Sequence, residues 1–141
     1  MYCINPRSNP YPYAVSYGNE GEIMVEFTTA QIEYLKSQRL GRVATLRPDG
    51  TLQNNPVGFN FVAETGTFEI GGLNMGDSQK YKNVVANGQV AFVVDDLESV
   101  EPWKPRMVEV RGTAEPLPNE DPRRSTILIH PNRVISFGIE E

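Results

Sequence analysis

One cysteine, one histidine and one tryptophan stand in 141 residues. A single thiol, Cys3, forms neither an internal disulfide nor a zinc cluster, so a reducing cytoplasm is the expected compartment. Nothing beside Cys3 would make a thiolate, which argues against a nucleophile there. The lone His130, in "ILIHPNR", builds no triad, and no GxSxG pattern occurs; it reads as a strand end. No apolar run approaches membrane-spanning length. Basic blocks are missing too: 13 Lys and Arg stand against 18 Asp and Glu, a net charge of −5. An acidic total without a basic face argues against nucleic-acid binding. Asp95, Asp96 and Glu98 in "VVDDLE" read as a solvated strand end rather than metal ligands.

What is present has the length of one domain. Residues 1–23, rich in Pro, Asn, Tyr and Gly, lack a basic n-region and an apolar h-region, so no secretory signal is read. They read as an extension outside the main fold. Two explanations stand open: a mis-called start ahead of Met24, or a tyrosine-rich arm that packs on the body or on a second subunit. The domain is expected over 24–141.

"FTTAQIEYLKSQRLG" predicts a helix. Thr28 and Gln31 form a capping box, Phe27 and Ile32 hold the staple positions, and Gly41 suits the C-terminal stop. The period then changes to two. Arg42–Leu46 predicts a strand and Arg47–Gly50 a turn. Thr51–Val62 continues as a strand with Val57, Phe59 and Phe61 on one face, and Pro56 requires an edge or a bulge. "TFEIGG" makes a third strand. Tyr81, Val84 and Val85 mark a short helix from about Ser78 to Ala86, ended by Asn87 and Gly88. "QVAFVVDD" is a buried strand, "LESVEPWKPR" a loop, "MVEVRGTAEPL" and "TILIH" strands, and "VISFGIEE" a final strand. Six or seven mostly antiparallel strands with two short helices argue for a mainly β barrel or sandwich.

The stretch Gly71–Asp96 carries a choice. Ser78 and Asp77 are ordinary N-caps, and Lys80 and Lys82 ordinary solvated charges. Alternatively, glycines ahead of a helix start let a ligand approach backbone, and the helix N-terminus favours an anion. Lys80 in the first turn opposes the helix dipole, a local conflict that a bound phosphate would resolve.

From Phe27 to Glu141 the chain resembles the pyridoxamine-5′-phosphate-oxidase-like family of flavin-binding split barrels. It is most similar to the subgroup that uses the deazaflavin coenzyme F₄₂₀. The carrying motifs are "GRVATLRPDGTLQNNPVGF", "TGTFEIGG", "SQKYKNVVANGQVAFVVDD", "EPWKPRMVEVRGTAE" and "IHPNRVISFGIE". The resemblance implies a six- to seven-stranded antiparallel split β-barrel and a homodimer with a cofactor in each interface cleft. It implies hydride transfer between reduced F₄₂₀ and an unsaturated small molecule. The alternatives are an FMN-dependent oxidoreductase or oxidase on the same scaffold, and a non-catalytic flavin or haem carrier.

By position, the resemblance places the phosphate at Ser78 and Lys80, and the ring system along Asn55, Pro56 and Val57 and along Ile70, Gly71 and Gly72. Some relatives carry arginine where Ser78 stands, so Arg42, Arg47 or a second subunit's basic residue is expected to compensate. Trp103, between Pro102 and Pro105, reads either as a surface-loop anchor or as an aromatic wall beside the flavin, across a dimer interface. Arg106, Arg111 and Arg133 pair either with cofactor or with the many carboxylates. No catalytic side chain is assigned, which suits a reaction whose chemistry the cofactor carries.

Overall fold

The computed structural model describes residues 14–17 and 23–140. Cys3 and most of the N-terminal extension lie outside the described residues. The elements in chain order are β1 (Ala14–Tyr17), β2 (Ile23–Val25), α1 (Thr29–Ser37), β3 (Leu40–Leu46), β4 (Leu52–Gly58), β5 (Asn60–Val62), β6 (Thr67–Ile70), α2 (Gln79–Ala86), β7 (Gln89–Ser99), β8 (Lys104–Leu117) and β9 (Thr126–Phe137). β1 pairs with β2, joining part of the extension to the start of the domain.

The other seven strands form one antiparallel sheet in the order β4-β3-β7-β8-β9-β6-β5. Its two outermost strands, β4 and β5, are consecutive in the chain, separated by Phe59 alone. A single bent segment therefore supplies both margins and curls the sheet into a split barrel. The fold is mainly β, as the residue pattern implied.

Alternation decides which side chains fill the interior. On β3, Val43 and Thr45 point inward and Arg42 and Ala44 outward. Five of the chain's six phenylalanines meet inside. Phe68 and Phe92 approach to 5.2 Å between ring centres, and Phe27, Phe59 and Phe61 surround them. Such edge-on contacts add to the burial of large rings. β4 is a margin, which suits Pro56: a residue without an N–H breaks no rung to a second neighbour.

A helix covers each end of the barrel. The Thr28–Gln31 capping box forms, with bonds of 3.0 and 3.1 Å, and the Gln31 amide reaches Ser136 on β9. At the other end α2 starts at its cap Ser78 and lies against β3, β8 and β9.

Several expectations need correction. α1 ends at Gln38, and Gly41 is a β3 residue, where a Cβ would collide with the Phe92 ring. Thr51–Val62 is two strands broken at Phe59. The expected loop at Leu97–Arg106 shrinks to Val100–Trp103, because β7 runs to Ser99 and β8 begins at Lys104. "TILIH", "PNR" and "VISF" are one strand, and "GIEE" leaves the sheet at Gly138, whose φ is +72°. A bulge between Arg111 and Gly112 absorbs the extra residue beside Pro131. Val85 is exposed, since an eight-residue helix buries only the face carrying Tyr81 and Val84.

Candidate functional site

The bend at Phe59 divides β4 from β5. β5 and β6 share three rungs, the last being Asn60 with Glu69. Beyond that rung the two strands part. β4 turns to pair with β3, while the β6 segment runs on through Ile70, Gly71 and Gly72. Asn55–Val57 and Ile70–Gly72 thus lead away from that rung on separate courses. Val57 and Ile70 are buried, Asn55 is half-buried, and Gly71 and Gly72 are exposed. A Cβ on Gly71 would meet nothing within 4 Å, so the space beside it is open.

The second wall leads through a short helical turn, Met75–Asp77, into α2. Ser78 is occupied by capping: its hydroxyl donates to the Met75 carbonyl at 2.7 Å and accepts from the Tyr81 N–H at 3.2 Å. The next two amides, Gln79 and Lys80, begin the helix and have no intrahelical acceptor. Lys80 is half-buried and Lys82 exposed. Asn83, fully buried, donates to Thr45 Oγ1 and Gln53 Oε1, tying α2 to β3 and β4.

Asn55, Pro56 and Val57 thus lie on β4, with Pro56 on its exposed face; Ile70 ends β6, Gly71 and Gly72 follow it, and Ser78 and Lys80 stand at the start of α2. Within a single chain Trp103 does not join them. It stands where β7 turns into β8, whereas α2 packs near Val90, roughly 30 Å away along β7. Arg42 lies on the outer face and pairs with Asp95 at 3.3 Å. Arg47 opens the turn to Thr51.

A cation the sequence reading missed is Arg124. Its turn, Pro122–Arg124, packs so tightly on Gly76 that a Cβ there would lie 2.7 Å from the Pro122 carbonyl oxygen. Arg123 in that turn is held by Asp121 at 3.0 Å. The cap-and-proline signal "DPRR" was visible, but its partner is 46 residues upstream, and only the fold joins them.

The α1 end carries a different constellation. Asp96 receives Arg106 through two bonds, of 2.9 and 2.6 Å, together with the Tyr34 hydroxyl and the Gln38 amide. The Arg106 guanidinium, foremost, holds the Asp96 carboxyl below the usual carboxylate range, and Tyr34 and Gln38 help. Burial, with Asp96 beside it, pushes the Tyr34 phenol up, so it stays a donor. Arg106 also sits over the Tyr34 ring at 5.0 Å. Next to this clamp is an open groove of about 630 Å³, bordered by Glu33, Tyr34, Trp103 and Phe137.

The remaining candidates fall into surface pairs. Arg106 reaches Glu98, Arg111 reaches Glu109, and His130 reaches Glu115 at 3.0 Å. Arg133 stands opposite Arg111 in register. Among the described residues no group of three or more His, Cys, Asp or Glu is placed to hold a metal. Nor is any helix among them long and apolar enough to cross a membrane.

The architecture is a helix-capped antiparallel split barrel, open along one seam. The description of the pyridoxamine 5′-phosphate oxidase family matches residues 27–133, and the chain belongs to that family. It is 43% identical over 120 residues to a 5a,11a-dehydrotetracycline/5a,11a-dehydrooxytetracycline reductase of Streptomyces rimosus, across 81% of this chain and 84% of that protein. Among solved structures, an F₄₂₀ reductase superposes with a TM-score of 0.57 at 27% identity, over 73% of this chain and 94% of the other. A conserved hypothetical protein of Mycobacterium tuberculosis gives 0.66 at 18% identity, over 88% and 90%, a likeness of fold. The chain is an oxidoreductase of this family.

Proposed function

We propose that the chain is an F₄₂₀-dependent reductase that delivers hydride from the reduced deazaflavin to a conjugated small molecule. The observation that carries this reading is the 43% identity to a reductase of a dehydrotetracycline. The likeness to an F₄₂₀ reductase supports the choice of cofactor. The residues at the seam fit a flat, anionic group. One wall has open space at Gly71, the other has the half-buried Asn55, and the floor begins at a helix start with Lys80.

When bound, the deazaflavin supplies the hydride chemistry. The chain's own residues bind and orient. The Gln79 and Lys80 amides and the Lys80 ammonium meet the phosphate. Val57 would offer the ring an apolar edge, with the buried Ile70 supporting that wall from beneath. Lys82 and Arg124, both exposed, are the cations assigned to an acidic tail leaving the cleft. A site without an arginine at Ser78 encloses less, which suits a coenzyme continuing past its phosphate as a polyglutamyl tail. FMN ends at its phosphate and favours a tighter cage.

We further propose a homodimer. Leu40 and Leu52 on the outer face of β3 and β4 are 51% and 75% exposed, and Leu73 at the cleft mouth is 97% exposed. A second copy would cover such apolar surface. In that assembly, Trp103 reaches a cofactor only in the partner's cleft.

The test is a titration of wild-type protein with F₄₂₀ and with FMN at two salt concentrations. Tighter binding of F₄₂₀, weakening as salt screens the tail, is the expected result. Stoichiometric FMN in the purified protein, or tighter FMN binding, would replace this reading with an FMN-dependent oxidoreductase. Binding without turnover across a broad panel of conjugated substrates would leave a carrier.

A further inference from the structure

Four side-chain amides run in a row from α2 to the cleft wall. The Gln79 Nε2 donates to Asn83 Oδ1 at 2.9 Å. The Asn83 Nδ2 donates to Thr45 Oγ1 at 3.0 Å and to Gln53 Oε1 at 3.1 Å. The Gln53 Nε2 donates to Asn55 Oδ1 at 2.8 Å. Every bond has the same sense, donor on the helix side and acceptor on the cleft side.

The four orientations are coupled. A carboxamide has one donor end and one acceptor end, so fixing one end fixes the other. Asn83 is fully buried, with both ends engaged, and reversing it alone would set its oxygen against that of Gln53 in the interior. Its orientation sets Gln53, and Gln53 sets Asn55. The row stops there: Asn55 Nδ2 has no hydrogen-bond partner among the described residues, and the side chain is half-buried on the wall.

We infer that Asn83, through Gln53, is a positioning residue that turns the Asn55 carboxamide so that it presents an N–H donor to the cleft. The donor meets a carbonyl oxygen or an unprotonated ring nitrogen on the edge of the bound tricycle. This rests on the reading of the seam as a flavin-type site. Asn55 touches the ligand; Asn83 and Gln53 act only through it. The same direction selects against a ligand edge offering N–H at that point, since two donors would face each other.

The row can be reversed without emptying the core. Gln53→Glu still accepts from Asn83, so the buried amide stays satisfied. Its second oxygen then faces Asn55, which must turn its Nδ2 back toward the carboxylate and show its carbonyl to the cleft. Wild type, Gln53→Glu, Asn55→Ala and the double variant are titrated with F₄₂₀ and FMN, following affinity and the visible absorption band. Each single variant is expected to weaken binding about ten-fold and to shift the bound band. The double variant is expected to match Asn55→Ala, because the glutamate then has no amide to turn. In ligand-free protein, Gln53→Glu is expected to move the Asn55 side-chain amide resonances. Wild-type affinity and an unshifted band in Gln53→Glu, or fully additive losses in the double variant, would overturn the inference while leaving the cofactor reading intact. Wild-type protein that binds neither ligand would overturn both.

Discussion

The Tyr34 hydroxyl donates to Asp96 Oδ1 at 2.9 Å, and the same oxygen receives Arg106 Nε at 2.9 Å. One carboxylate thus joins α1 to the β7–β8 hairpin. Asp96→Asn removes the charge and one acceptor of the pair. The expected loss is about 1–2 kcal/mol at pH 7, a fall of several degrees in melting temperature. The sign with pH follows from the lowered carboxyl. Its folded pKa lies below the unfolded value near 3.9, so its contribution is full above about pH 5 and is lost as pH falls through the folded value. Thermal melts of wild type and variant are expected to converge toward pH 3 and to differ most near neutrality. A constant gap across that range would remove Asp96 from the account of acid sensitivity.

Lys80 is the half-buried cation at the start of α2. A charge-assisted bond to phosphate is worth roughly 1.5–3 kcal/mol. Lys80→Ala is expected to weaken binding of a phosphorylated cofactor by about ten- to a hundred-fold. The control is the corresponding ligand without its phosphate, whose affinity is expected to stay near wild type. Equal loss for both would show that Lys80 does not anchor the phosphate.

Two glycines are expected to respond oppositely to the same change. A Cβ on Gly112 would run into the His130 carbonyl oxygen, which belongs to backbone and cannot swing away. Gly112→Ala is therefore expected to cost about 1–3 kcal/mol in urea unfolding. Gly71→Ala meets open space and is expected to alter stability by less than about 0.5 kcal/mol, while weakening the cofactor that this glycine admits. Unfolding midpoints and cofactor titrations of both variants check the pair. Unchanged cofactor affinity in Gly71→Ala would take that residue out of the cleft wall.

Leu40 and Leu52, 51% and 75% exposed, are the side chains that the proposed dimer would cover. Light scattering at low micromolar concentration is expected to show a dimer for wild type and a monomer for Leu40→Glu/Leu52→Glu. A wild-type monomer that binds cofactor tightly would end the dimer reading.

Local signals survived translation into structure; distant ones did not. The capping box at Thr28 and Gln31 and the Ser78 cap depend on residues three apart, and both form. The buried run at Val90–Val94 was legible for a similar reason, since period and composition lie within one strand. Pro131 looked like a break because its tolerance depends on a bulge set by β8. Phe59 looked like one strand residue among others, because only the closure of the sheet makes it a corner. The seam residues are expected from family resemblance alone, and Trp103 reads as either a surface anchor or a wall beside the flavin; the strand length that separates it from α2 is a property of pairing. The amide row is not legible in the sequence, because Gln53, Asn55, Gln79 and Asn83 become neighbours only when the fold assembles.

The doubled use of the Leu52–Val62 segment also orders the assembly of the fold in time. β7, β8 and β9 are joined by short connections and share the most extensive ladders, so they can zip locally. β5 contributes three rungs to β6, and the pairing of β6 with β9 spans about sixty residues, so the seam is expected to close last. Amide hydrogen exchange is accordingly expected to be slowest along the β8–β9 ladder and faster at the Phe59 corner. The margins proposed to receive the cofactor are then expected to have the least protection of their own, and a ligand bound there would act as a late splint across the seam.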